Sequence, residues 1–460
     1  MKNLTLKEIL EVTNGELIQG NPEDICQNFS KDTRTIQKGD TYIGIKGETF
    51  DGNQFWREAL DKGAKTVIIE NLERKEQELK KYPQKNIVKV KDTKQALYEI
   101  AKKKREKYNI PVIAITGSVG KTSTKDIVAN VVAKKYKTLK TQGNNNNNIG
   151  LPFTILKLQE EEAMVLEMGM NHFGEISLLT KIAKPDICII TNIGTSHIGN
   201  LGSRENILKA KLEILEGTNQ PIIIVNNDND LLHQWQIENQ NKEKIITYGI
   251  REPSTINAKN IALKENKSTF TCTIQEKEQT INVPVGGEHF ILNALCAICV
   301  GNTLKIEPEK IKQGIEKFEL TKKRMDITKT KDNITIINDA YNASLESMQA
   351  SLKYLANLPN TRKIAVLGDM LELGEYAQKL HEQVGKAVYQ NKIDILITCG
   401  TNAKHIQNQA KKEGMQEQNI YYFENKEQII SQLKQICKPG DTILLKASNG
   451  MKFFELAEQL

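Results

Sequence analysis

Residues 115–123 read Ile-Thr-Gly-Ser-Val-Gly-Lys-Thr-Ser, and this stretch decides the fold of the region around it. The apolar run 110–115 leads into it and predicts a buried strand, and residues 124–135 follow with helical spacing. A strand, a glycine loop, a Lys-Thr pair and a helix form the layout of a nucleoside triphosphate site. Backbone N–H groups of such a loop and the positive end of the helix face the phosphates.

Two side chains of this loop would carry its chemistry. Lys121 would reach the β- and γ-phosphates, and the hydroxyl of Thr122 would hold Mg²⁺. The complete pattern is G-x-x-x-x-G-K-[ST], and its first glycine would fall at Ile115. The alternative for such a truncated match is a glycine turn that carries a lysine by chance. The predicted strand and helix on either side favour the phosphate site.

The composition is that of an ordinary multidomain globular protein. At 460 residues the chain is too long for one core, so two to three domains are expected. No apolar run approaches the ~20 residues that span a bilayer. Residues 1–8 lack the apolar core of a signal peptide. The seven scattered cysteines fit reduced thiols. We therefore expect a cytoplasmic protein without stable membrane insertion.

The charge pattern does not favour a nucleic-acid partner. The net charge of +7, from 64 Lys and Arg against 57 Asp and Glu, is a mild excess, and no basic stretch alternates with aromatic residues. The basic run 102–107 predicts a solvated helix face. Cys296 and Cys299 lie in an apolar helical pattern, which predicts helix core rather than a metal or redox site.

Strand and helix patterns alternate through three regions of the chain. Residues 1–90 predict a smaller α/β domain. Residues 91–319 predict a central ATP-binding domain. Its βαβ pattern runs from residue 110 to about 319, which predicts a mostly parallel sheet with helices on both faces. Residues 320–460 predict a second, Rossmann-like doubly wound sheet. The strands predicted in the last two regions are 110–115, 163–167, 187–191, 222–225, 334–338, 363–367, 393–398 and 442–446.

Further polar residues follow the predicted central strands, where ligands bind in such sheets. Glu167 ends one strand and is placed to bind Mg²⁺ directly or through water, although a turn or N-cap acid is the alternative. His197 lies in a Gly/Ser/Thr loop just past the next strand, which favours a functional role. By pattern alone, Lys211 is a surface lysine paired with Glu205 or Glu213.

With these residues placed, the chain resembles the Mur ligases, the ATP-dependent amide-bond formers of peptidoglycan synthesis. The resemblance runs nearly end to end, and the shortened phosphate loop is typical of that family. The matching blocks are residues 116–122, 143–152, 167–170, 191–197, 338–344 and 367–374. The last of these, Leu-Gly-Asp-Met-Leu-Glu-Leu-Gly followed by His381, is characteristic of the family members that add D-alanyl-D-alanine. The Asp-Asn-Pro-Arg motif of the sibling that adds the third residue is not found.

The resemblance implies a mechanism and a set of substrates. ATP would phosphorylate the terminal carboxylate of UDP-N-acetylmuramoyl-tripeptide to an acyl phosphate. The amine of D-alanyl-D-alanine would then attack, and phosphate would leave. Catalysis would be mostly positioning and charge neutralisation. The implied metal is Mg²⁺. The sequence leaves the oligomeric state open, and a monomer is the default expectation.

The resemblance also changes the interpretation of Lys211. It matches the position where several Mur ligases carry a lysine carbamylated by CO₂. A carbamate converts the cation into a carboxylate-like ligand of Mg²⁺. The catalytic residues implied are Lys121, His197 and Lys211. The metal ligands implied are Thr122 and Glu167 for one Mg²⁺ and His197 for a second, with the carbamate of Lys211 between the two.

The matching blocks imply two larger sets of binding residues. Those for ATP are Thr116, Gly117, Ser118, Val119, Gly120, Lys121, Thr122, Ser123, Asn293, Arg324 and Asp339. Those for the other substrates are Ser30, Asp32, Arg34, Gly47, Asp51, Asn147, Asn148, Tyr341, Asn342, Asp369, Glu372, His381, Lys446 and Ser448.

Four positions depart from the family pattern. Phe290 stands where an asparagine is usual, so an adenine contact is lost or replaced by stacking. Asn53 replaces a histidine. Ala447 and Asn449 replace a glycine and an arginine, which puts a basic contact of the late block in doubt. None of the four removes a phosphate or metal residue.

Three alternatives stay open at the level of sequence. The first is a sibling Mur ligase or a folylpolyglutamate synthase-like ligase, against which the 367–374 block argues. The second is a nucleotide-hydrolysing switch, but no guanine-type base motif or water-positioning glutamine is evident. The third is a non-catalytic paralogue, against which the intact phosphate and metal residues argue. The sequence does not distinguish lysine from diaminopimelate in the tripeptide.

Overall fold

The computed structural model describes residues 2–47, 49–72, 79–264, 267–319, 324–359 and 361–460, and these form three α/β units around separate main sheets. The predicted α/β class with three units is confirmed. The boundary predicted at 319/320 adjoins residues 320–323, which lie outside the described residues. No helix of the described part is long and apolar enough to cross a membrane.

The N-terminal unit is built on a five-stranded sheet. Four of its strands, β4 to β7, run parallel, and β2 pairs antiparallel with β7 at one edge. Strands β1 and β3 form a separate antiparallel pair. The elements are β1 Leu4–Thr5, α1 Leu6–Thr13, β2 Glu16–Gln19, β3 Ile25–Cys26, β4 Phe29–Ser30, β5 Thr41–Ile43, α2 Trp56–Asp61, β6 Thr66–Ile69 and β7 Asn86–Lys89.

The central unit contains a seven-stranded sheet in the order β14-β13-β12-β11-β8-β10-β9, in which every pairing is parallel. Helices α4, α10 and α11 pack together, and α3 packs with α5 and α6, so that helices surround the sheet. The elements are α3 Thr93–Glu106, β8 Val112–Thr116, α4 Lys121–Val132, β9 Thr138–Lys140, α5 Gly150–Leu156, β10 Ala163–Glu167, α6 Glu175–Ala183, β11 Ile187–Ile190, α7 Ile198–Leu201, α8 Arg204–Leu212, β12 Ile222–Asn226, α9 Asp230–Asn239, β13 Lys244–Gly249, β14 Ile256–Asn257, β15 Lys259–Lys264, β16 Lys267–Ile274, β17 Lys277–Val283, α10 Glu288–Thr303 and α11 Pro308–Glu316.

The expectation of a βαβ pattern throughout residues 110–319 is wrong in one place. Strands β15, β16 and β17 form a three-stranded antiparallel sheet. Their apolar and polar residues alternate: β16 buries Ser268, Phe270, Cys272 and Ile274 on one face. This period of two belongs to a sheet with one buried face.

The C-terminal unit carries a six-stranded sheet in the order β18-β19-β23-β20-β21-β22. Strand β18 is an antiparallel edge, and the other pairings are parallel. The four strands predicted here are present. The last has its predicted bounds, and the other three have ends shifted by one or two residues. The elements are β18 Asp326–Lys329, β19 Thr335–Asn338, α12 Leu345–Ala356, β20 Lys363–Gly368, α13 Ala377–Gln390, β21 Ile395–Cys399, α14 Lys404–Glu413, β22 Ile420–Phe423, α15 Glu427–Ile436, β23 Thr442–Lys446 and α16 Phe454–Ala457.

The basic run 102–107 does not form a wholly solvated face. Lys104 and Arg105 are buried, with 4% and 9% of their surface exposed. Arg105 donates through Nε to the carbonyl of Ala183 at 2.8 Å, and so ties α3 to the end of α6. Charge alone predicted solvation, but a guanidinium whose hydrogen bonds are met can be buried at a helix contact. Cys296 and Cys299 lie in the core of α10, as predicted.

Candidate functional site

A cavity of about 560 Å³ lies where the carboxyl ends of the central strands face the C-terminal unit. Its walls come from the loop between β8 and α4, the ends of β10 and β11, helix α10 and the loop after β19. Of the residues predicted for ATP, metal or substrate, those that line it are Ser118, Val119, Gly120, Lys121, Thr122, Ser123, Asn147, Asn148, Glu167, His197, Asn293, Arg324, Asp339, Tyr341, Asn342 and Lys446. The structure thus brings most of the central predictions together with five from the C-terminal unit. The central and C-terminal predictions that do not line the cavity are Thr116, Gly117, Lys211, Asp369, Glu372, His381 and Ser448.

The phosphate loop is fixed by the strand beside it. Gly117 passes so close to Thr191 that a Cβ would lie 1.9 Å from the Thr191 hydroxyl oxygen. The Val119 amide donates to Asn192 Oδ1 at 2.9 Å, and the Val119 carbonyl accepts from Thr191 Oγ1 at 2.7 Å. Gly120 has a φ of 82° and turns the chain into α4. The loop that the sequence predicted is therefore formed, and its contacts with Thr191 and Asn192 hold it in place.

The Lys121 amine is folded back onto its own loop, where it donates to the carbonyl of Gly117 at 2.8 Å. Burial lowers the pKa of Lys121, the nearby Glu167 carboxylate opposes that shift, and the cation of Arg324 adds to it. An ammonium held among carbonyl oxygens at a helix N-terminus is poorly compensated. An anion in the loop would stabilise it.

Thr122 and Glu167 fit the ligands of a hard cation. Glu167 is 2% exposed, and its Oε1 accepts from Asn146 Nδ2 at 2.8 Å. Its Oε2 is buried without a hydrogen-bond partner. The Thr122 hydroxyl accepts from Arg324 Nη2 at 3.0 Å. Because a bare buried carboxylate oxygen is costly, this donor set suits Mg²⁺.

His197 stands at the start of α7 with a φ of 64°, a left-handed conformation that is rare for a non-glycine residue. Its Nδ1 lies 2.7 Å from Glu372 Oε2 of the C-terminal unit, although the contact lacks the direction of a hydrogen bond. The pKa of Glu372 is lowered, chiefly by its interaction with His197, against the opposing effect of burial. Glu372 itself has a φ of 63°, so two strained residues meet across the interface.

Lys211 is buried, with 1% of its surface exposed, and the surface lysine that the pattern alone suggested is wrong. Glu213 instead receives hydrogen bonds from the amides of Gly174 and Ser177. Glu205 caps its own helix. Burial, and then the charge of Lys121, hold the pKa of Lys211 well below its usual range. A lowered pKa favours the neutral amine, which is the form that reacts with CO₂.

The base end of the cavity is formed by α10. Asn293 is buried and accepts a hydrogen bond through Oδ1 from the Thr124 hydroxyl at 3.0 Å. Burial lowers the pKa of His289 to about 4, so this ring is neutral near pH 7. Phe290 is 2% exposed and packs on His289 and Phe318, with ring centres 4.3 Å and 6.4 Å apart. Phe290 therefore contributes an apolar wall where an asparagine is usual.

Asp339 organises the side of the cavity that belongs to the C-terminal unit. Its Oδ2 is 2.5 Å from the ammonium of Lys446 and accepts from the Ser351 hydroxyl at 2.7 Å. Lys446 is 2% exposed and also donates to the carbonyl of Asn342 at 3.2 Å. Arg324 lies over the ring of Tyr341, with its guanidinium carbon 4.1 Å from the ring centre. Asp339 and Lys446 thus hold the shape of this wall.

Buried polar atoms without partners concentrate here. Among the described residues there are six such atoms, and four lie at the cleft or in the strand leading to it. These four are Thr116 Oγ1, Glu167 Oε2, His197 Nδ1 and Arg324 Nε. No group of three or more His, Cys, Asp and Glu residues in the described part forms a metal cluster by itself. The arrangement fits a bound anion together with a cation rather than a closed protein metal site.

The predicted residues of the N-terminal unit do not line this cavity. Asp32 caps a short helical turn and pairs with Arg34 at 2.6 Å, which lowers the pKa of Asp32 to about 2. The Asp51 carboxylate accepts a hydrogen bond from the backbone amide of Asn53. Asn53 is 4% exposed, and its side-chain oxygen accepts a hydrogen bond from the backbone amide of Glu70 at 2.8 Å. Asn53 is therefore a structural residue. Of the remaining N-terminal predictions, Ser30 ends β4 and accepts from the amide of Asp32, and the amide of Gly47 donates to the carbonyl of Phe50.

Polar side chains in and around the 367–374 block of the C-terminal unit accept hydrogen bonds from backbone amides. Asp369 is 7% exposed, and its Oδ1 accepts from the amide of Ala403 at 2.7 Å. His381 is fully buried, and its Nε2 accepts from the amide of Met370 at 3.0 Å. The Ser448 hydroxyl accepts from the amide of Leu371 at 2.9 Å. None of these three lines the cavity, so the structure places them in a supporting role.

Sequence reasoning missed three residues that the structure brings to the site. Asn146 donates to Glu167, Asn192 clamps the phosphate loop, and Glu346 reaches Thr195 from the C-terminal unit. The asparagine tract and the Thr-Asn-Ile-Gly block contain the first two, but spacing gives no role to individual amides. Nothing in the sequence indicated Glu346, because it lies on the polar side of an ordinary helix.

Three family models match this sequence. They are "Mur ligase family, catalytic domain" over residues 27–105, "Mur ligase middle domain" over 115–301 and "Mur ligase, glutamate ligase domain" over 323–449. A relative from Bacillus subtilis (strain 168) is named UDP-N-acetylmuramoyl-tripeptide–D-alanyl-D-alanine ligase. It is 36% identical over 460 residues, which cover 99% of this chain and 98% of the relative.

Solved structures agree over the whole chain. Crystal structure I of MurF from Acinetobacter baumannii has a TM-score of 0.90 and 28% identity, and the match covers 100% of this chain and 99% of that one. MurF ligase from Thermotoga maritima, crystallised in complex with ADP, has a TM-score of 0.81 and 28% identity, with 94% and 96% coverage.

Proposed function

The chain belongs to the Mur ligase family, and we propose that its cleft adds D-alanyl-D-alanine to UDP-N-acetylmuramoyl-tripeptide with ATP. It is an ATP-dependent ligase that forms a peptide bond in the synthesis of the peptidoglycan precursor. The observation that carries the assignment is the cluster of the half-buried Lys121, the buried Lys211 and an unpartnered carboxylate oxygen around a formed phosphate loop. That cluster lies in a chain that matches D-alanyl-D-alanine ligases over nearly its whole length.

The reaction has two bond-forming steps. The terminal carboxylate oxygen of the tripeptide attacks the γ-phosphorus of ATP, and the bond to the bridging oxygen breaks to release ADP. The dipeptide amine then attacks the acyl carbon, the amine loses a proton, and the C–O bond to phosphate breaks. Both steps depend on holding charged groups in line while water is excluded.

The phosphate loop supplies most of the positioning in this mechanism. Amides of residues 117–122 and the N-terminus of α4 would hold the β- and γ-phosphates. The Lys121 amine would leave the carbonyl of Gly117 and follow the transferring charge. Asn293, Arg324 and Asp339 border the same cavity and would hold the base and ribose.

Thr122, Glu167, His197 and a carbamate on Lys211 would hold Mg²⁺. Bound there, the metal neutralises charge on the phosphates. The proposal is supported by the unpartnered Oε2 of Glu167 and by the burial of Lys211 near Lys121. A carbamate would replace one of two neighbouring buried cations by an anion, which removes a repulsion.

The other substrates would extend from this centre to both ends of the molecule. The N-terminal unit, with Ser30, Asp32, Arg34, Gly47 and Asp51, would hold the UDP end. The C-terminal unit would hold the dipeptide, with Tyr341, Asn342 and Lys446 lining the cleft and Asp369, Glu372, His381 and Ser448 outside its lining. Asn147 and Asn148 would contact the peptide beside the phosphate loop. We further propose domain divisions near residues 90 and 319, a monomer and a cytoplasmic location.

Mass spectrometry of the nucleotide product tests this function. Purified protein is incubated with Mg²⁺, ATP and UDP-N-acetylmuramoyl-tripeptide, with D-alanyl-D-alanine or with single D-alanine. We expect a product heavier by one condensed dipeptide, and lysine and diaminopimelate substrates are compared in parallel. A product with a single added amino acid would favour a sibling ligase. ATP hydrolysis without any nucleotide product would favour a switch.

A further inference from the structure

The carboxylate of Glu346 crosses from the C-terminal unit into the central one. Glu346 lies in the first turn of α12, whose N-cap is Ser344. Its Oε1 accepts the backbone N–H of Thr195 at 2.8 Å, and its Oε2 accepts the hydroxyl of the same residue at 3.2 Å. Thr195 is 6% exposed, so this double contact is largely shielded from water.

The loop that receives this carboxylate leaves space for it. A Cβ on Gly194 would lie 2.6, 2.7 and 2.8 Å from the carboxyl carbon and the two oxygens of Glu346. These are its three nearest atoms. Gly194 is not one of the glycines with a positive φ. Its lack of a side chain therefore serves this close approach rather than a turn.

The same loop touches the phosphate loop on its other side. The Gly194 amide donates to Ser118 Oγ at 2.9 Å, and the Ser196 hydroxyl donates to the Ser118 carbonyl at 3.3 Å. His197 follows directly. Residues 194–197 therefore connect a carboxylate of the C-terminal unit with the phosphate loop and with a proposed metal ligand.

We propose that Glu346 is a positioning residue that sets the 194–197 loop, and through it Ser118 and His197, when the C-terminal unit is docked. The proposal rests on the proposed ligase function. Docking of the unit that would bring the dipeptide thereby completes the geometry of the site that activates the carboxylate. Glu346 would do this through its two hydrogen bonds to Thr195, and its side chain also borders the cavity.

Another contact of the same helix provides a matched control. Lys353, also on α12, pairs with Glu288 at 2.9 Å across the same interface, and Glu288 pairs with Arg251 at 2.9 Å. The side chain of Lys353 is 52% exposed. This pair joins the two units at their rim but does not reach the phosphate loop. Lys353→Met therefore removes an interface contact without disturbing the 194–197 loop.

Steady-state kinetics of three variants test the proposal. Glu346→Met should lower kcat about 10- to 100-fold, as expected for a small misplacement of reacting groups. The KM for the UDP-tripeptide should stay within about threefold, since that substrate is held elsewhere. Glu346→Gln, which can make both hydrogen bonds, should recover most of kcat, and Lys353→Met should be close to wild type. An equal loss in Glu346→Gln, or in Lys353→Met, would overturn the proposal.

A double-mutant cycle tests the route through Gly194. Gly194→Ala should lower kcat by about tenfold or more, because the new methyl group displaces the Glu346 carboxylate. In a Glu346→Ala background the same methyl group meets no carboxylate, so its further effect should be less than about twofold. Fully additive losses would overturn the coupling. Melting temperatures of all variants show whether each one is folded.

Hydrogen exchange of the Thr195 amide gives a readout that needs no ligase activity. Glu346→Met should raise the exchange rate of this amide about tenfold or more in the free protein, and Lys353→Met should leave it unchanged. An unchanged rate in Glu346→Met would show that the contact is not made in solution. If the wild-type protein makes no nucleotide product, the ligase assignment fails. The exchange rate of the Thr195 amide would still show whether Glu346 contacts Thr195 in solution.

Discussion

Two regions of this molecule gather polar residues, and they differ in whether the hydrogen bonds of those residues are satisfied. The phosphate cluster comprises Lys121, Thr122, Glu167, His197 and Lys211. It contains unpartnered buried atoms and two lysines whose pKa values are lowered by burial. The C-terminal interlock comprises Asp369, His381 and Ser448, and each of these groups has a backbone partner.

Residues of the phosphate cluster lack hydrogen-bond partners that a ligand could supply. Residues of the C-terminal interlock already have partners and stabilise the fold. An unsatisfied buried group lowers stability, and a fold retains it where a ligand completes it. A satisfied buried group stabilises the fold and has nothing left to offer a substrate. Substitutions should therefore have opposite signatures in the two regions: loss of activity without loss of stability in the first, and the reverse in the second.

The largest effect is expected for Lys121→Met. Loss of the cation that follows the transferring phosphoryl group should lower kcat about 10³-fold, the upper range for removal of one preorganised charge. The melting temperature should not fall, because the buried amine is poorly compensated. Kinetics and calorimetry on the same preparation measure both. As a control, Lys125→Met on the same helix removes a buried ion pair with Asp126 and should lower stability rather than kcat.

Lys211→Ala should lower kcat about 10²-fold or more, because a ligand of the metal and its charge are lost. Added short carboxylates should restore part of the activity by occupying the space of the carbamate. A variant with unchanged activity would remove Lys211 from the site. A loss that no carboxylate relieves would leave the lysine essential without a carbamate.

The stability of the protein should depend on pH through Lys211. Because its pKa in the folded state is well below its usual range, the unfolded chain binds a proton there that the folded chain does not. In free protein without CO₂, stability should rise with pH between the folded pKa and about 10.4, the ordinary value. Lys211→Met should flatten this dependence and raise the melting temperature at neutral pH. A steeper dependence in the variant would contradict the assignment.

In the C-terminal interlock, His381→Leu should destabilise the protein by about 1–3 kcal/mol, since the amide of Met370 loses its buried acceptor. The kcat of the folded fraction at low temperature should stay within a few-fold of wild type. Denaturant unfolding and kinetics separate the two. A collapse of kcat at unchanged stability would place His381 among the substrate contacts that the family resemblance implied.

The smallest effect is expected at an exposed pair of the N-terminal unit. The Arg34 guanidinium lowers the pKa of Asp32 to about 2, so its stabilising effect is present above about 3.9 and is lost as the pH falls through 2. Arg34→Ala should raise this pKa toward its ordinary value, as an NMR titration would show. If the pair also binds the UDP end, the KM for the tripeptide should rise while kcat stays the same.

The sequence predicted the parts of the fold that rest on local patterns. The strand before Lys121, the glycine loop and the strands ending at Glu167 and Lys446 were found because apolar runs and loop chemistry are local. The antiparallel sheet of residues 259–283 was not predicted, because the alternation of its apolar and polar residues was interpreted as part of the βαβ pattern. The burial of Arg105 was missed because a distant carbonyl at Ala183 satisfies it.

The candidate site was predictable residue by residue only where a motif fixes a role. Lys121 and Thr122 follow from the loop, whereas Lys211 needed the family resemblance, since its spacing is that of a surface lysine. Asp369 and His381 were expected at the substrate, but their partners are backbone amides that no pattern reveals. Glu346 depends on the docking of two units, which local sequence does not encode.

Phosphate release from ATP, measured with each substrate withheld in turn, tests the central claim most directly. If the phosphate cluster exists to activate one carboxylate for one peptide bond, release should require Mg²⁺, the UDP-tripeptide and D-alanyl-D-alanine together, with one phosphate per peptide bond formed. Rapid release with ATP and Mg²⁺ alone would contradict the account, because the cluster would then activate water rather than the tripeptide.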